Sequence, residues 1–471
     1  MSGRASVVGA GPNGLAAAVV LAQAGLQVEV FEAEPQPGGA ARTLELTIPG
    51  FFHDFGSAVH PLAAGSPFFS SLPLASYGLE WIHSPSTLAH PFDDGTAITL
   101  ERDFSANDAA LGKDAKVWRR LMEPLAKNWP ALSAEVLSPV HIFSRHPWLL
   151  ARFGLSALPS ANSLSGFLFR GERTKALFAG LAAHSFLSLD EPLSAGFGVL
   201  LGAAAHAVGW PIPRGGAQSI TNTLCGYLAN LGGTIKTSSR VDKLRELAQS
   251  DVTMCDVTPK QLLRMAEHRL SASYQRQLEK FRQGPGAFKV DYALSSPIPW
   301  KARECSGAAT VHLGGSASEI TASEAAIRSG EHAKRPFVLL AQPSLFDVTR
   351  APQGKHTAWA YCHVPYGSKV DVLENLEQQI ERFAPGFRDI VLARRVLSPA
   401  ALEAMDANLI GGDIGGGALD VRQFLFRPTW RQYATSARDL YICSSSTPPG
   451  AGVHGMCGYH AARSAISRLG R

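Results

Sequence analysis

Three glycines and an acid carry the first chemistry legible in this chain. Gly9, Gly11 and Gly14 stand in Gly9-Ala10-Gly11-Pro12-Asn13-Gly14, and Glu32 follows 18 residues after Gly14. Such a set binds a diphosphate and a ribose. Gly9 permits a tight turn, Gly11 lacks a Cβ and lets the backbone approach a pyrophosphate, and Gly14 lets a helix pack closely on a strand. The helix N-terminus offers free N–H groups and a partial positive charge to the anion. The Glu32 carboxylate accepts hydrogen bonds from ribose hydroxyls and would repel a 2′-phosphate, which argues against NADP. Just beyond it, Gly38-Gly39-Ala40-Ala41-Arg42 reads either as an extension of this site or as an ordinary Gly-Gly turn with a surface arginine.

These residues work only if particular elements hold them. Ser6 to Val8 is a short apolar strand. Leu15 to Ala24 has helical length and composition, Gly25 punctuates it, and Val28 to Phe31 is a second strand ending on Glu32. Strand, glycine turn, helix and strand within about thirty residues is the context the fingerprint requires.

Composition sets the outer bounds. The chain has 471 residues, 45% apolar and 18% charged, enough for two domains and a large core. A net charge of +5, with no basic run interleaved with aromatics, excludes nucleic acid as the expected partner. None of Cys225, Cys255, Cys305, Cys362, Cys443 and Cys457 forms a C-x-x-C pair, so neither a redox disulfide nor a zinc ribbon is expected. No metal-spaced histidine cluster, G-x-S-x-G or H-E-x-x-H occurs. The fingerprint begins within a few residues of Met1, so no signal peptide is expected, and no stretch reads as a clean membrane span. The expected location is cytoplasmic, with or without peripheral membrane contact. Nothing in the pattern specifies an oligomer.

Along the chain, Leu44, Leu46 and Ile48 alternate as a strand, and Asp93-Asp94-Gly95 reads as a hairpin turn. Residues 106–190 read as a mostly helical cap, with Trp118, Leu121, Met122 and Leu125 at helical spacing. In residues 141–153, apolar and aromatic residues alternate with arginines. That segment reads either as a membrane-interface helix burying Trp148 and Phe153 or as a cap helix packed on its neighbours. The Gly/Ala-rich stretch from Leu193 to Trp210 reads as a buried helix or tunnel wall. Residues 286–365 are strand-rich, an antiparallel sheet covering a substrate site. At the end, Leu440 to Cys443 is a strand and Met456 to Leu469 a helix. Residues 450–455 repeat the G-x-G-x-x-G spacing, but no strand with its acid follows, so a second dinucleotide site is rejected.

The N-terminal fingerprint paired with LYICSSSTPPGAGVHGMCGYHAA at 440–462 resembles the phytoene desaturase-like FAD oxidoreductases. The resemblance runs through KVDYAL at 289–294, PIPW at 297–300, HLGG at 312–315, PFVLLAQPS at 336–344, APGF at 384–387 and GGDIGGG at 411–417. It is nearer the branch of the pyridine nucleotide-disulfide oxidoreductase domain-containing protein 2 than the bacterial desaturases, although no redox cysteine pair supports the disulfide in that name.

The resemblance implies an α/β fold. A discontinuous Rossmann-type FAD-binding domain (1–62, 209–285 and 420–471) would join a substrate domain of antiparallel sheet with a helical cap (63–208 and 286–419). It implies that FAD is held by Gly9, Gly11, Pro12, Asn13, Gly14, Glu32, Gly38, Gly39, Arg42, Gly56, Ser57, Val241, Gly450, Gly452, Val453 and His454. Related chains carry a hairpin after the strand that leads to Val241; here it is reduced to Lys243–Gln249. The implied reaction is hydride transfer from a C–H bond of a long apolar or polyene-like substrate to the flavin, by a desaturase or isomerase. His454 is the first catalytic candidate, with His60 and His363 after it. Two other functions fit the same layout. One is a flavin amine oxidase, with Trp430 and Tyr433 as its aromatic pair; the other is an FAD-bound protein that chiefly binds a partner.

Overall fold

The structure, a computed structural model, describes residues 3–140 and 144–470. The first three residues of the 141–153 segment therefore lie outside the described residues.

The chain opens with β1 (Arg4–Val8), α1 (Pro12–Gln23) and β2 (Gln27–Phe31). Pro12 starts α1 at its first position, where a missing N–H costs nothing. This helix is apolar on almost every side, and accordingly residues 13–22 are all buried. The chain then leaves through β3 (Ser86–Pro91) and β4 (Ala97–Leu100) into a helical layer. That layer contains α2 (Ala115–Lys127), α3 (Pro147–Ala157), α4 (Ala161–Leu168), α5 (Glu172–Ala183) and α6 (Ser194–Ala207). It returns through α7 (Gln218–Asn230), β5 (Thr234–Lys236) and β6 (Val252–Cys255). It leaves again for β7 (Gly286–Leu294), β8 (Ala308–Leu313), α8 (Ala317–Arg328), β9 (Val338–Ala341), β10 (His356–Val364), α9 (Leu373–Phe383) and β11 (Val391–Leu397). It closes with β12 (Leu440–Ile442) and α10 (Met456–Arg468).

Two sheets organise the fold. The first has five strands in the order β12-β6-β1-β2-β5, all parallel. The second has seven, in the order β11-β7-β10-β9-β8-β3-β4. It is antiparallel except where β8 runs parallel to β3, so the antiparallel substrate sheet expected from sequence is a mixed one. The exception arises because β3 comes from the earlier excursion of the chain and joins an edge that the later strands have built.

Close helix packing fixes the first sheet's cover. A Cβ on Gly458 would sit 1.8 Å from the Asn13 carbonyl oxygen, so α10 lies directly against α1. In the cap, Trp118, Met122 and Leu125 bury the apolar stripe of α2 against α5 and α6. Two local expectations shift. The strand expected over Leu44–Ile48 is a two-residue ladder, Thr43–Leu44 with His53–Asp54, because Glu45 and Thr47 are drawn into bonds with the Gly50 amide and the His53 ring. Between β5 and β6 there is one helical turn, Leu244–Glu246, and no hairpin.

Candidate functional site

The carboxyl ends of β1, β2 and β6 open onto a cavity with two lobes. The outer lobe, about 430 Å³, is lined by Gly9, Glu32, Glu34, Arg42, Arg240 and Val241, among others. The inner lobe, about 340 Å³, is lined by Pro12, Asn13, Gly56, Ser57, Gly452 and Val453 from one side. From the other side come Lys289, Thr310, Trp359 and Tyr361 of the second sheet and His184, Leu201 and Trp210 of the cap. Gly11, Gly39, Asp256, Asp406 and Asn408 line both lobes and form the neck between them.

The neck suits an extended dinucleotide. A Cβ on Gly39 would lie 3.3 Å from the Gly11 Cα, so a side chain at either position would fill the slot. A Cβ on Gly14 would lie 2.1 Å from the Gly9 carbonyl oxygen, which is why the turn closes only with glycine there. In the outer lobe the Glu32 carboxylate is fixed by the Ala10 amide (2.7 Å) and the Glu34 amide (2.9 Å), a stance suited to accepting ribose hydroxyls. The Arg42 guanidinium donates to the carbonyls of Gly39 (2.8 Å) and Met405 (2.6 Å), and so ties the Gly-Gly turn to the segment that closes the neck. Gly38 and Gly450 line neither lobe; Gly38 packs on Arg42 and Gly450 on Arg427, each holding its turn from behind.

Three residues of the neck, Asp256, Asp406 and Asn408, were not legible in the sequence. The Asp256 Oδ2 accepts from the Gly14 amide at 2.8 Å, taking up an N–H at the start of α1. Burial, with Asp406 and Glu32 nearby, pushes its carboxyl up to about 7.

The floor of the inner lobe is built by strand register. One row across the second sheet runs Lys289, Tyr361, Leu339, His312. The next runs Asp291, Trp359, Ala341, Thr310. Lys289 Nζ donates to both Asp291 carboxylate oxygens at 2.5 Å, and burial pushes Asp291 up to about 6 against the pull of that ammonium. Below lies a second buried pair, Arg350 and Asp54 at 2.8 Å. Burial opposes ionisation of Asp54, but the guanidinium outweighs it and holds the carboxyl below its ordinary value, helped by the Ala217 amide.

None of the three catalytic candidates lines either lobe. His454 is pushed down to about 4 by burial, and its Nδ1 accepts from the Met456 amide at 3.0 Å, so it shapes the turn into α10. His60 is likewise pushed down to about 4 by burial and sits at the N-terminus of the short helix Pro61–Ala64. The His363 Nδ1 bonds Glu324 at 2.7 Å, and its ring lies 5.8 Å from that of Tyr361, two residues earlier on the same face of the sheet. The histidine that does line the inner lobe is His184, whose Nε2 lies 3.1 Å from the Nε2 of His312. The signal for Lys289 was its place in the alternation Lys289-Val290-Asp291 inside an apolar strand. His184 had none, because α5 meets the sheet only in three dimensions.

Other expectations are placed as follows. Trp430 is exposed, while Tyr433 is buried with its hydroxyl donating to the Pro448 carbonyl, and neither lines the cavity. Cys225, Cys255, Cys305 and Cys362 are pushed up to about 12 by burial, and Cys457 to about 11, which leaves these thiols unreactive. Among the described residues no group of histidine, cysteine and carboxylate side chains could hold a metal. Among them, too, no helix is long and apolar enough to cross a membrane.

Comparison with known proteins bears on the fold and on the class of cofactor. Residues 7–69 match the family described as an NAD(P)-binding Rossmann-like domain. The chain is 27% identical to the pyridine nucleotide-disulfide oxidoreductase domain-containing protein 2 of Mus musculus, over 97% of this chain and 92% of that protein. It is 24% identical to the lycopene-forming phytoene desaturase of Pseudescherichia vulneris, over 96% of each. Its fold is similar to that of putrescine oxidase bound to putrescine, with a TM-score of 0.62 at 17% identity over 100% of each chain.

Proposed function

Starting from the premise that this chain is a homologue of the phytoene desaturases, an oxidoreductase with FAD as its cofactor, we propose that it desaturates or isomerises a long apolar, polyene-like molecule whose reacting part enters the inner lobe. The observation that carries this reading is the composition of that lobe. Leu201, Trp210, Leu339, Leu340, Leu402, Leu409 and Ile414 surround a space continuous with the dinucleotide neck. A mostly apolar concavity with few polar groups is what an apolar ligand requires.

When bound, FAD supplies the hydride acceptor. The rest falls to the chain's own residues. Glu32 and the slot between Gly11 and Gly39 would hold the cofactor's ribose and diphosphate. Gly56, Ser57, Gly452 and Val453 would hold its inner end. The cap helices α5 and α6 exclude water from the inner lobe, and Asp291 neutralises Lys289 so that an uncompensated cation does not face an apolar ligand.

The same reading includes uptake of the substrate from a membrane. The α3 face presents Trp148 at 87% exposure and Leu155 at 77%, and α4 adds Phe167 at 88%. Exposed Arg145, Arg152 and Arg170 accompany them, a composition suited to anionic headgroups. Phe153, by contrast, packs into the cap core.

A second reading, oxidation of an amine, has Lys289 beside Trp359 and Tyr361 in its favour. Against it, the inner lobe's lining residues hold no carboxylate other than Asp256 and Asp406 at the neck. Anaerobic flavin reduction watched by absorbance decides between them. A detergent-solubilised lipid and polyene extract should bleach the flavin where the reaction is a desaturation and leave it oxidised where it is a redox-neutral isomerisation, and simple amines should not bleach it. Bleaching by an amine alone would replace the first reading with the second.

A further inference from the structure

The inner lobe is apolar in most of its lining, yet its floor holds polar atoms with no partner among the described residues. The Thr310 hydroxyl and the Trp359 indole N–H are both buried and make no hydrogen bond among the described residues. They belong to one row of the sheet and flank Ala341 from either side, so both stand on the face that lines the lobe. Two strand spacings separate them, roughly 10 Å. An indole N–H only donates, and a buried donor without an acceptor is a costly arrangement that native structures rarely keep.

His184 adds a third group. Its Nε2 pairs with the His312 Nε2, and the His312 Nδ1 is buried without a partner. An orphaned lone pair costs less than an orphaned N–H, so His312 carries its proton on Nε2 and donates to His184. That leaves the His184 Nδ1 as an N–H donor in a side chain lining the lobe. Burial pushes His184 down to about 3 and His312 well below its ordinary value, so both rings stay neutral and this assignment holds at physiological pH.

We propose that the lobe is a subsite for an oxygen function on an otherwise apolar substrate, with Trp359, Thr310 and His184 as donors to a hydroxyl or carbonyl oxygen. The substrate is then an oxygenated isoprenoid- or lipid-like molecule and not a pure hydrocarbon. This rests on the apolar-substrate reading above and narrows it.

The test uses the FAD-loaded protein and two matched probes, farnesol and its hydrocarbon counterpart farnesene, with binding followed by tryptophan fluorescence. Wild type should bind farnesol at least about tenfold more tightly, since a site built to hydrogen-bond an oxygen discriminates strongly against the analogue lacking it. Thr310→Val and Trp359→Phe should each lower that preference, read as the ratio of the two affinities within each variant, severalfold. Equal binding of both probes by wild type would overturn the subsite and leave the apolar-substrate reading standing. Binding of neither would remove the apolar-substrate reading and the subsite with it. Variants that lose FAD and keep the preference would show that these groups serve the flavin, which also overturns the proposal.

Discussion

Asp256 is the residue on which the cofactor site turns. It lines both lobes at the neck, holds the Gly14 amide, and faces Asp406 and Glu32 with no cation bonded to it. A diphosphate crossing the neck would meet a neutral carboxylic acid below about pH 7 and a carboxylate above it. Binding should therefore favour the protonated form, and FAD affinity should fall about tenfold from pH 6 to pH 8. Asp256→Asn keeps an acceptor for the Gly14 amide and removes the charge. Its affinity should vary little over that range and exceed wild type at pH 8, as titration calorimetry of the apoprotein would show. An unchanged pH profile in the variant would mean that the carboxyl stays clear of the diphosphate. The sequence showed the glycines and Glu32 because they lie within 32 residues of the start, in one local unit. Asp256 reaches the same neck from β6, more than 200 residues later, and only the β12-β6-β1-β2-β5 order puts it there.

At the scale of elements, the cap has two faces with different work. The α6 helix supplies Leu201 to the inner lobe, and α3 rests on α6, where a Cβ on Gly196 would meet the Ala157 Cβ at 3.2 Å. The outer side of α3 and α4 is thus one layer removed from the cavity wall. Its Trp148 and Phe167 are almost fully exposed among the described residues, so truncating them should spare the fold. Burying each in a bilayer surface is worth about 2 kcal/mol. The double variant Trp148→Ala/Phe167→Ala should therefore bind anionic vesicles on the order of a thousandfold more weakly, with FAD content unchanged. Equal sedimentation of variant and wild type with vesicles would remove the membrane reading. Helical spacing gave the cap its secondary structure but not its sidedness. Phe153 and Trp148 look alike in sequence, and only the position of α6 decides that the first is covered and the second is not. The floor was hidden for a related reason: Lys289, Thr310 and Trp359 sit on three strands whose order cannot be read from any local pattern.

Over the whole molecule, the packing of sheets and helices buries many histidines. Desolvation lowers His53 and His184 to about 3, and His60, His90, His206 and His454 to about 4. Each is neutral in the folded protein at a pH where it would be charged in the unfolded chain. A group whose folded value is depressed contributes stability that is present above its unfolded value, near 6.5, and lost as pH falls towards the folded value. Four carboxyls act in the opposite sense. Asp256, Asp291, Asp406 and Asp413 are raised by burial, so their contribution is present at low pH and lost as pH rises through the folded values, about 7 for Asp256 and about 6 for Asp291. Between pH 4 and 6.5 the histidines outnumber them, and the apoprotein should lose thermal stability steadily as pH drops through that window. His206 separates this from general acid effects. It bonds the Trp118 indole N–H at 2.9 Å and the Arg102 carbonyl at 3.1 Å in the cap core, away from the cofactor. His206→Gln keeps a polar group of similar reach but cannot be protonated. Its melting temperature should lie below that of wild type at pH 7, through lost packing, and the gap should narrow by pH 5. A gap that stays constant across the window would mean that His206 is not among the groups driving acid unfolding, and the histidine account would have to rest on the residues between the two sheets.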